Sequence, residues 1–215
     1  MLNLTSNHRA ATNVIEFYKI VVALKQIIRS GWKQWNVKQE RLESVAEHVY
    51  GTCMLAIAMA SEFDYNIDIK KVVMMMAIHE LEETVIPDIT PFDGISEEEK
   101  MRMGHEAIVQ ILTPLASAST LISLIMEFDS RTTAEARFAY QCDKLECDLM
   151  SIMYDRQETV PFKDATDRVT TSSKLMDMYE NGEAKTMADF FYLHDKEKYD
   201  QNFMTVLDEM YMNEN

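Results

Sequence analysis

The chain has 215 residues, enough for one sizeable core or one domain with an appended tail. With 47% apolar and 27% charged residues, a folded globular protein is the default, and few Gly and Pro beside 17 Met favour helix. Twenty-one basic against 36 acidic residues give a formal charge of −15, which argues against broad nucleic-acid or anionic-membrane binding but not against a small anion held by one cation in a pocket.

In chain order, Val14 to Ile28 has apolar residues near helical spacing, and Gly31 is expected to end that helix. GWKQWNVKQERLES, residues 31 to 44, has no clear period and reads as an irregular connection. Ser44 to Phe63 is a second helix: Ser44 and Glu47 match a capping box, and Val45, His48, Val49, Thr52, Leu55 and Met59 share one stripe. A third helix is expected from Asp68 to about Thr84, with VVMMMAI buried on most sides. Val85 to Gly94 is a proline-bearing loop. Ser96 and Glu99 form another capping box, opening a helix to about Leu112, and Pro114 separates it from a helix near 119–128. Thr133 to about Tyr154 is the sixth helix, with Phe138, Cys142, Leu145 and Leu149 on its apolar face. Asp164 to Tyr179 and Tyr199 to Met212 are further helices, with a Gly-containing break between them. No strand alternation and no internal repeat persists, so the fold class is all-α.

Three cysteines, Cys53, Cys142 and Cys147, with no CxxC pair, suit a reducing interior better than a disulfide framework. The first residues lack a basic start followed by an apolar run, and no apolar stretch is long enough to span a bilayer, so a cytoplasmic protein with no membrane partner is expected.

Metal-type ligands fall on three of the expected helices: His48 on the second, His79 and Glu80 on the third, Asp143 on the sixth. Imidazole and carboxylate together suit a divalent ion such as Mn, Co, Fe, Ni or Zn. Each residue taken singly is more often structural. A lone helical His is usually satisfied in the core or on the surface, and an acidic helix end is usually solvated. The order His, His-acid, Asp on separate helices is the more specific signal.

With these residues in place, the chain resembles the HD-domain metal-dependent phosphohydrolases, and within them the 5′-deoxynucleotidase branch. The matching pieces are RSGW at 29–32, NV at 36–37, ESVAEHVY at 43–50, HELEE at 79–83, DITPFD at 88–93, SEEEK at 96–100 and AEARFAYQCDKLE at 134–146. The resemblance implies an HD-type helical bundle over 1–160, with 161–215 as a helical extension packed on it. It implies a homodimer acting on a small-molecule nucleotide rather than a nucleic acid. It also implies one divalent ion held by His48, His79, Glu80 and Asp143, with Glu83 to position or deprotonate the attacking water and Asp88 near the sugar or phosphate. Arg29 would bind phosphate through its guanidinium fork. Trp32 would crowd the sugar's 2′ position and reject ribose; the competing reading of Trp32 is simple packing.

One departure stands out. The family's pair is His-Asp, and this chain has His79-Glu80, whose carboxylate sits one C–C bond further out, about 1.5 Å. That leaves a shifted but working site or a degraded one. Two other functions therefore stay open: an HD hydrolase of nucleoside triphosphates, cyclic nucleotides or alarmones, and a catalytically impaired nucleotide-binding module. HELEET superficially resembles the alarmone hydrolases' His-Asp-x-x-Glu-Asp, but Thr84 replaces the last acid. His8 and His194 lie in flanking segments without companions, His105 reads as exposed near Arg102 and Glu106, Cys142 reads as core, Cys147 has no nearby base, and Glu82 reads as surface.

Overall fold

The computed structural model describes residues 2–86 and 94–213. The helices are α1 (Leu2–Ala23), α2 (Ser30–Gln34), α3 (Val45–Glu62), α4 (Ile69–Ile78), α5 (Glu97–Leu112), α6 (Ala118–Ser130), α7 (Ala134–Gln157), α8 (Asp167–Thr170), α9 (Ser173–Glu180), α10 (Met187–Asp195) and α11 (Gln201–Met212). Short 3₁₀ turns follow α1 at Leu24–Gln26 and α4 at Leu81–Thr84. No sheet forms among the described residues; the only extended pairings there are isolated bridges, Ile28 with Ser44 and Pro161 with Thr186. The all-α expectation holds.

α7 is the central rod. It packs against α3, α4, α6, α10 and α11. Around it lie three apolar clusters. The first joins Met59 of α3 and Met76 of α4 to Phe138, Leu145 and Ile152 of α7 and to Phe203 and Leu207 of α11. The second is aromatic, with Trp32, Trp35, Tyr154, Phe162 and Phe190. The third holds Leu24, Val45, Met75, Leu81, Ile108 and Ile125. Residues after 160 thus contribute buried side chains to the first two clusters.

Several boundaries differ from expectation for identifiable reasons. α1 begins at Leu2 and gives way to a 3₁₀ turn after Ala23, because Ile27 and Ile28 are drawn into extended pairing with the segment before α3: Val45 N–H donates to Ile27 O at 2.8 Å and Arg29 N–H to Glu43 O at 3.0 Å. Gly31 does not terminate a helix but lies inside short α2, which ends as Asn36 reverses the chain at φ 59°. α4 is shorter than its apolar run. It stops at Ile78, and its outer face leaves Met74 about half exposed while Met75 and Met76 are fully buried. α10 was not foreseen, although Thr186 and Asp189 form a reciprocal capping box at its start. The Ser44–Glu47 box opens α3 as expected, whereas at α5 Ser96 caps Glu99 N–H and the Glu99 carboxylate turns to Arg102 instead.

Candidate metal centre

α3, the end of α4 and α7 converge on one buried point. His48 lies one turn into α3, and Asp143 sits in the buried stripe of α7. His79 is the C-cap of α4 and Glu80 follows it with φ −112° and ψ 16°, already outside the helix. What ends α4 here is partly His79 itself: its Nδ1–H donates to Met76 O at 2.7 Å, satisfying a carbonyl of the last turn. A carbonyl can only accept, so the proton is on Nδ1, and His79 Nε2 is left with its lone pair facing the centre.

The four donor groups lie close enough together to hold one metal ion. His48 Nε2 is 3.1 Å from Asp143 Oδ1 and 3.5 Å from Glu80 Oε1. His79 Nε2 is 3.6 Å from Glu80 Oε1 and 3.7 Å from Asp143 Oδ1. Ligand bonds of about 2.1 Å at angles between right and tetrahedral place neighbouring donor atoms roughly 3.0–3.4 Å apart, so these separations suit a small divalent ion with little adjustment. His79 Nε2 is also buried with no hydrogen-bond partner among the described residues. Such an orphan is costly unless something else takes its lone pair. Two imidazoles and two carboxylates are a donor set for a transition divalent ion.

Burial alone would raise the Glu80 carboxyl, but the facing His79, Arg29 and His48 outweigh it and bring it down to about 2. Asp143 is likewise held well below the usual carboxylate range against the effect of burial, by Lys144, His48 and His79. Its oxygens divide the work: Oδ1 faces the histidines, and Oδ2 is 2.9 Å from Lys144 Nζ. Both acids are therefore held as carboxylates. Glu80 stands in the turn after α4 rather than on the helix.

Arg29 lies beside this centre, placed by the Ile28–Ser44 bridge. Its Nη1 is 3.2 Å from Glu80 Oε1 and 3.8 Å from Glu83 Oε1, and Nη2 is 3.3 Å from Cys147 Sγ. Glu83 is buried in the 3₁₀ turn, so its neighbourhood comes from that turn and not from the continuous helix expected from sequence. Trp32 is 2% exposed in the aromatic cluster, and its Nε1–H donates to Glu43 Oε2 at 2.9 Å. Its ring packs against Tyr154 and Phe191. Asp88 lies outside the described residues. Glu82 is not plain surface: it is half-buried beside Gly104, and burial with nearby Glu80 raises its carboxyl well above normal.

Glu43, Gly51, Lys144, Glu146 and Cys147 also adjoin the centre, and none of them carries a role in the expectations from sequence. Glu146 was findable, since it follows Asp143 by one helical turn on α7. Glu43 was not, since only the pairing with Arg29 brings it there. Glu43 is buried and close to Glu146, and these two effects push its carboxyl up to about 7. His105 pairs with Asp129 at 2.7 Å away from the centre. Cys53, Cys142 and Cys147 are free thiols.

A bundle whose helices bring two histidines and two acids to one buried point is the architecture of a metal-dependent helical hydrolase. Residues 21–181 match the HD-domain family model, and the chain belongs to that family. Among characterised relatives it is 30% identical over 183 residues to the 5′-deoxynucleotidase HDDC2 of Bos taurus, covering 84% of this chain and 82% of the relative. It is 33% identical over 153 residues to the HDDC2 5′-deoxynucleotidase of Dictyostelium discoideum, covering 68% and 80%. The 5′-deoxynucleotidase hdd1 of Schizosaccharomyces pombe is 31% identical over 157 residues, covering 70% and 77%. Among solved structures, a predicted metal-dependent phosphohydrolase from Magnetospirillum magnetotacticum superposes with TM-score 0.62 at 21% identity, over 94% of this chain and 93% of that one. A conserved hypothetical protein from Pyrococcus furiosus superposes with TM-score 0.60 at 23% identity, over 78% and 97%. These two likenesses concern the fold.

Proposed function

We propose that this protein is a metal-dependent phosphohydrolase that removes the 5′-phosphate from deoxynucleoside monophosphates. The observation that carries the reading is the convergence of His48, His79, Glu80 and Asp143, with the His79 Nε2 lone pair unspent, in a chain whose relatives are named 5′-deoxynucleotidases. A divalent ion held there supplies Lewis acidity toward a phosphate oxygen and toward water.

The chain's own residues supply the rest. Arg29 presents a guanidinium between Glu80 and Cys147, and an incoming phosphate dianion competes for it with those groups. Glu83, buried and 3.8 Å from that guanidinium, is placed to orient the attacking water and take its proton. Asp88 joins the site on its motif alone. Trp32 shapes the sugar end from behind Glu43, and a Trp32→Phe variant with an unchanged preference for dAMP over AMP would remove it from substrate selection. Residues 1–160 and 161–215 act as one unit in this reading, because Phe203 and Leu207 share a core with α3 and α4. The protein works as a homodimer.

The test is release of inorganic phosphate from a nucleotide panel by purified protein supplied with Mn²⁺ or Co²⁺. Turnover of dAMP-like substrates well above AMP is expected. Pyrophosphate or triphosphate release would instead indicate a nucleoside triphosphate hydrolase. Metal-free protein with no turnover under any ion would leave a binding module.

A further inference from the structure

His48 has two occupied sides. Its Nε2 faces the metal centre, while its Nδ1 makes a close contact with Glu146 Oε2, nearer than the 3.1 Å from Nε2 to Asp143 Oδ1. Asp143 and Glu146 are one turn apart on α7, so a single helix face sets one acid against each nitrogen of the ring. A neutral imidazole has one proton to give and one lone pair to ligate with, and the partner of one nitrogen decides the use of the other.

We propose that Glu146 is a positioning residue of the metal centre: it holds the proton on His48 Nδ1, which leaves Nε2 as the only lone pair offered to the ion, and Gly51 is the position that lets it do so. The inference rests on the reading of His48 as a ligand. Gly51 lies three residues after His48 on α3. A Cβ built on it would stand 2.7 Å from Glu146 Oε1 and 3.2 Å from its Cγ and Cδ, contacts too close to keep. Any side chain at 51 therefore displaces the carboxylate that supports His48. The rear of Glu146 is held in turn. Glu43 hydrogen-bonds it, Trp32 Nε1–H donates to Glu43 Oε2 at 2.9 Å, and the Glu43 backbone N–H donates to Tyr154 Oη at 2.9 Å. A continuous string thus runs from the aromatic cluster to the metal-facing nitrogen.

The rival arrangement would use the other side of the ring, since His48, Glu146 and Cys147 could also surround an ion. The structure favours the Nε2 side. There His79 has a lone pair with nothing to take it, whereas Glu146 is already engaged by Nδ1 and Cys147 Sγ by Arg29.

The experiment uses Zn²⁺ alone as the probe, with ¹⁵N-histidine-labelled full-length protein, wild type against Glu146→Gln, Glu146→Leu, Gly51→Ala and Cys147→Ser. Wild type should show His48 with its Nδ1 protonated and its Nε2 resonance shifted once Zn²⁺ is bound. Glu146→Leu and Gly51→Ala should mix the two tautomers and weaken Zn²⁺ binding about 10- to 100-fold. Glu146→Gln, whose amide oxygen still accepts from Nδ1–H, should restore the tautomer and most of the affinity. If Glu146→Leu does not fold, Gly51→Ala decides, because it keeps every ligand. Unchanged tautomer and affinity in Gly51→Ala and Glu146→Leu overturn the proposal and leave the metal site standing. A Zn²⁺ shift at Nδ1 that Cys147→Ser abolishes also overturns it, by making Glu146 and Cys147 the ligands. Wild-type protein that takes up no Zn²⁺ overturns the metal-site reading itself, and this one with it.

Discussion

Asp143 and Asp148 are five residues apart on the same helix, and both are buried. Asp143 is held far below the normal carboxylate range, while Asp148 is pushed up to about 8. Burial raises both. The difference is what each one faces: Asp143 meets Lys144 and two imidazoles, whereas Asp148 meets the Asp195 carboxylate and accepts from Tyr199 Oη at 2.6 Å. A buried carboxyl is thus held charged or pushed toward its neutral form according to its neighbours, and an acidic motif in the sequence cannot distinguish the two.

Variants can break or sharpen that contrast. Asp143→Asn should have the largest effect on turnover. Loss of a direct ligand should exceed the roughly 10- to 100-fold cost of losing an outer partner, and elemental analysis should show the metal gone. Retained metal would end the claim that Asp143 differs from Asp148 in kind. Glu83→Gln comes next: a fall in kcat of about 10²- to 10⁴-fold at full metal content is expected if it handles the water's proton. A parallel loss of metal would instead make Glu83 part of the ligand set. Glu80→Asp should change activity only a few-fold, because the turn that accommodates Glu80 can shift by about one bond length. If neither Glu80→Asp nor Glu80→Ala alters metal content, Glu80 is not a ligand.

Asp148→Asn should leave turnover alone and alter only stability. In the unfolded chain Asp148 titrates near 3.8, and in the folded one near 8. Between these values the folded state holds a proton that the unfolded state has released, so wild-type stability should decline as pH rises, approaching about 1.4 kcal/mol per pH unit from this group. The variant removes that slope. Denaturant melts should agree at pH 4 and favour the variant increasingly up to pH 8; parallel curves would refute the assigned environment.

Much of the scaffold was legible because its signals are local. Ser44 and Glu47 announce α3 within four residues, and the spacing of Phe138, Cys142, Leu145 and Leu149 draws α7. The convergence was legible as a set because His48, His79 and Asp143 carry chemistry that helices rarely place together. The end of α4 was hidden because AIHELEET continues the helical period that the His79–Met76 bond interrupts. The support behind the site was hidden for a different reason. Glu43 reaches Glu146 only after residues 28 and 44 pair, and sequence distance gives no hint of that pairing.

Single α7 carries Asp143, Glu146, Asp148 and Tyr154. It therefore works as a camshaft, on which each part keeps its phase because all share one axis. One residue inserted after Asp143 would turn everything beyond it by about 100° and advance it about 1.5 Å. Glu146 would leave His48, and Tyr154 would leave Glu43. Lengthening this chain is a matter for its loops, while α7 has to keep its residue count between 143 and 154.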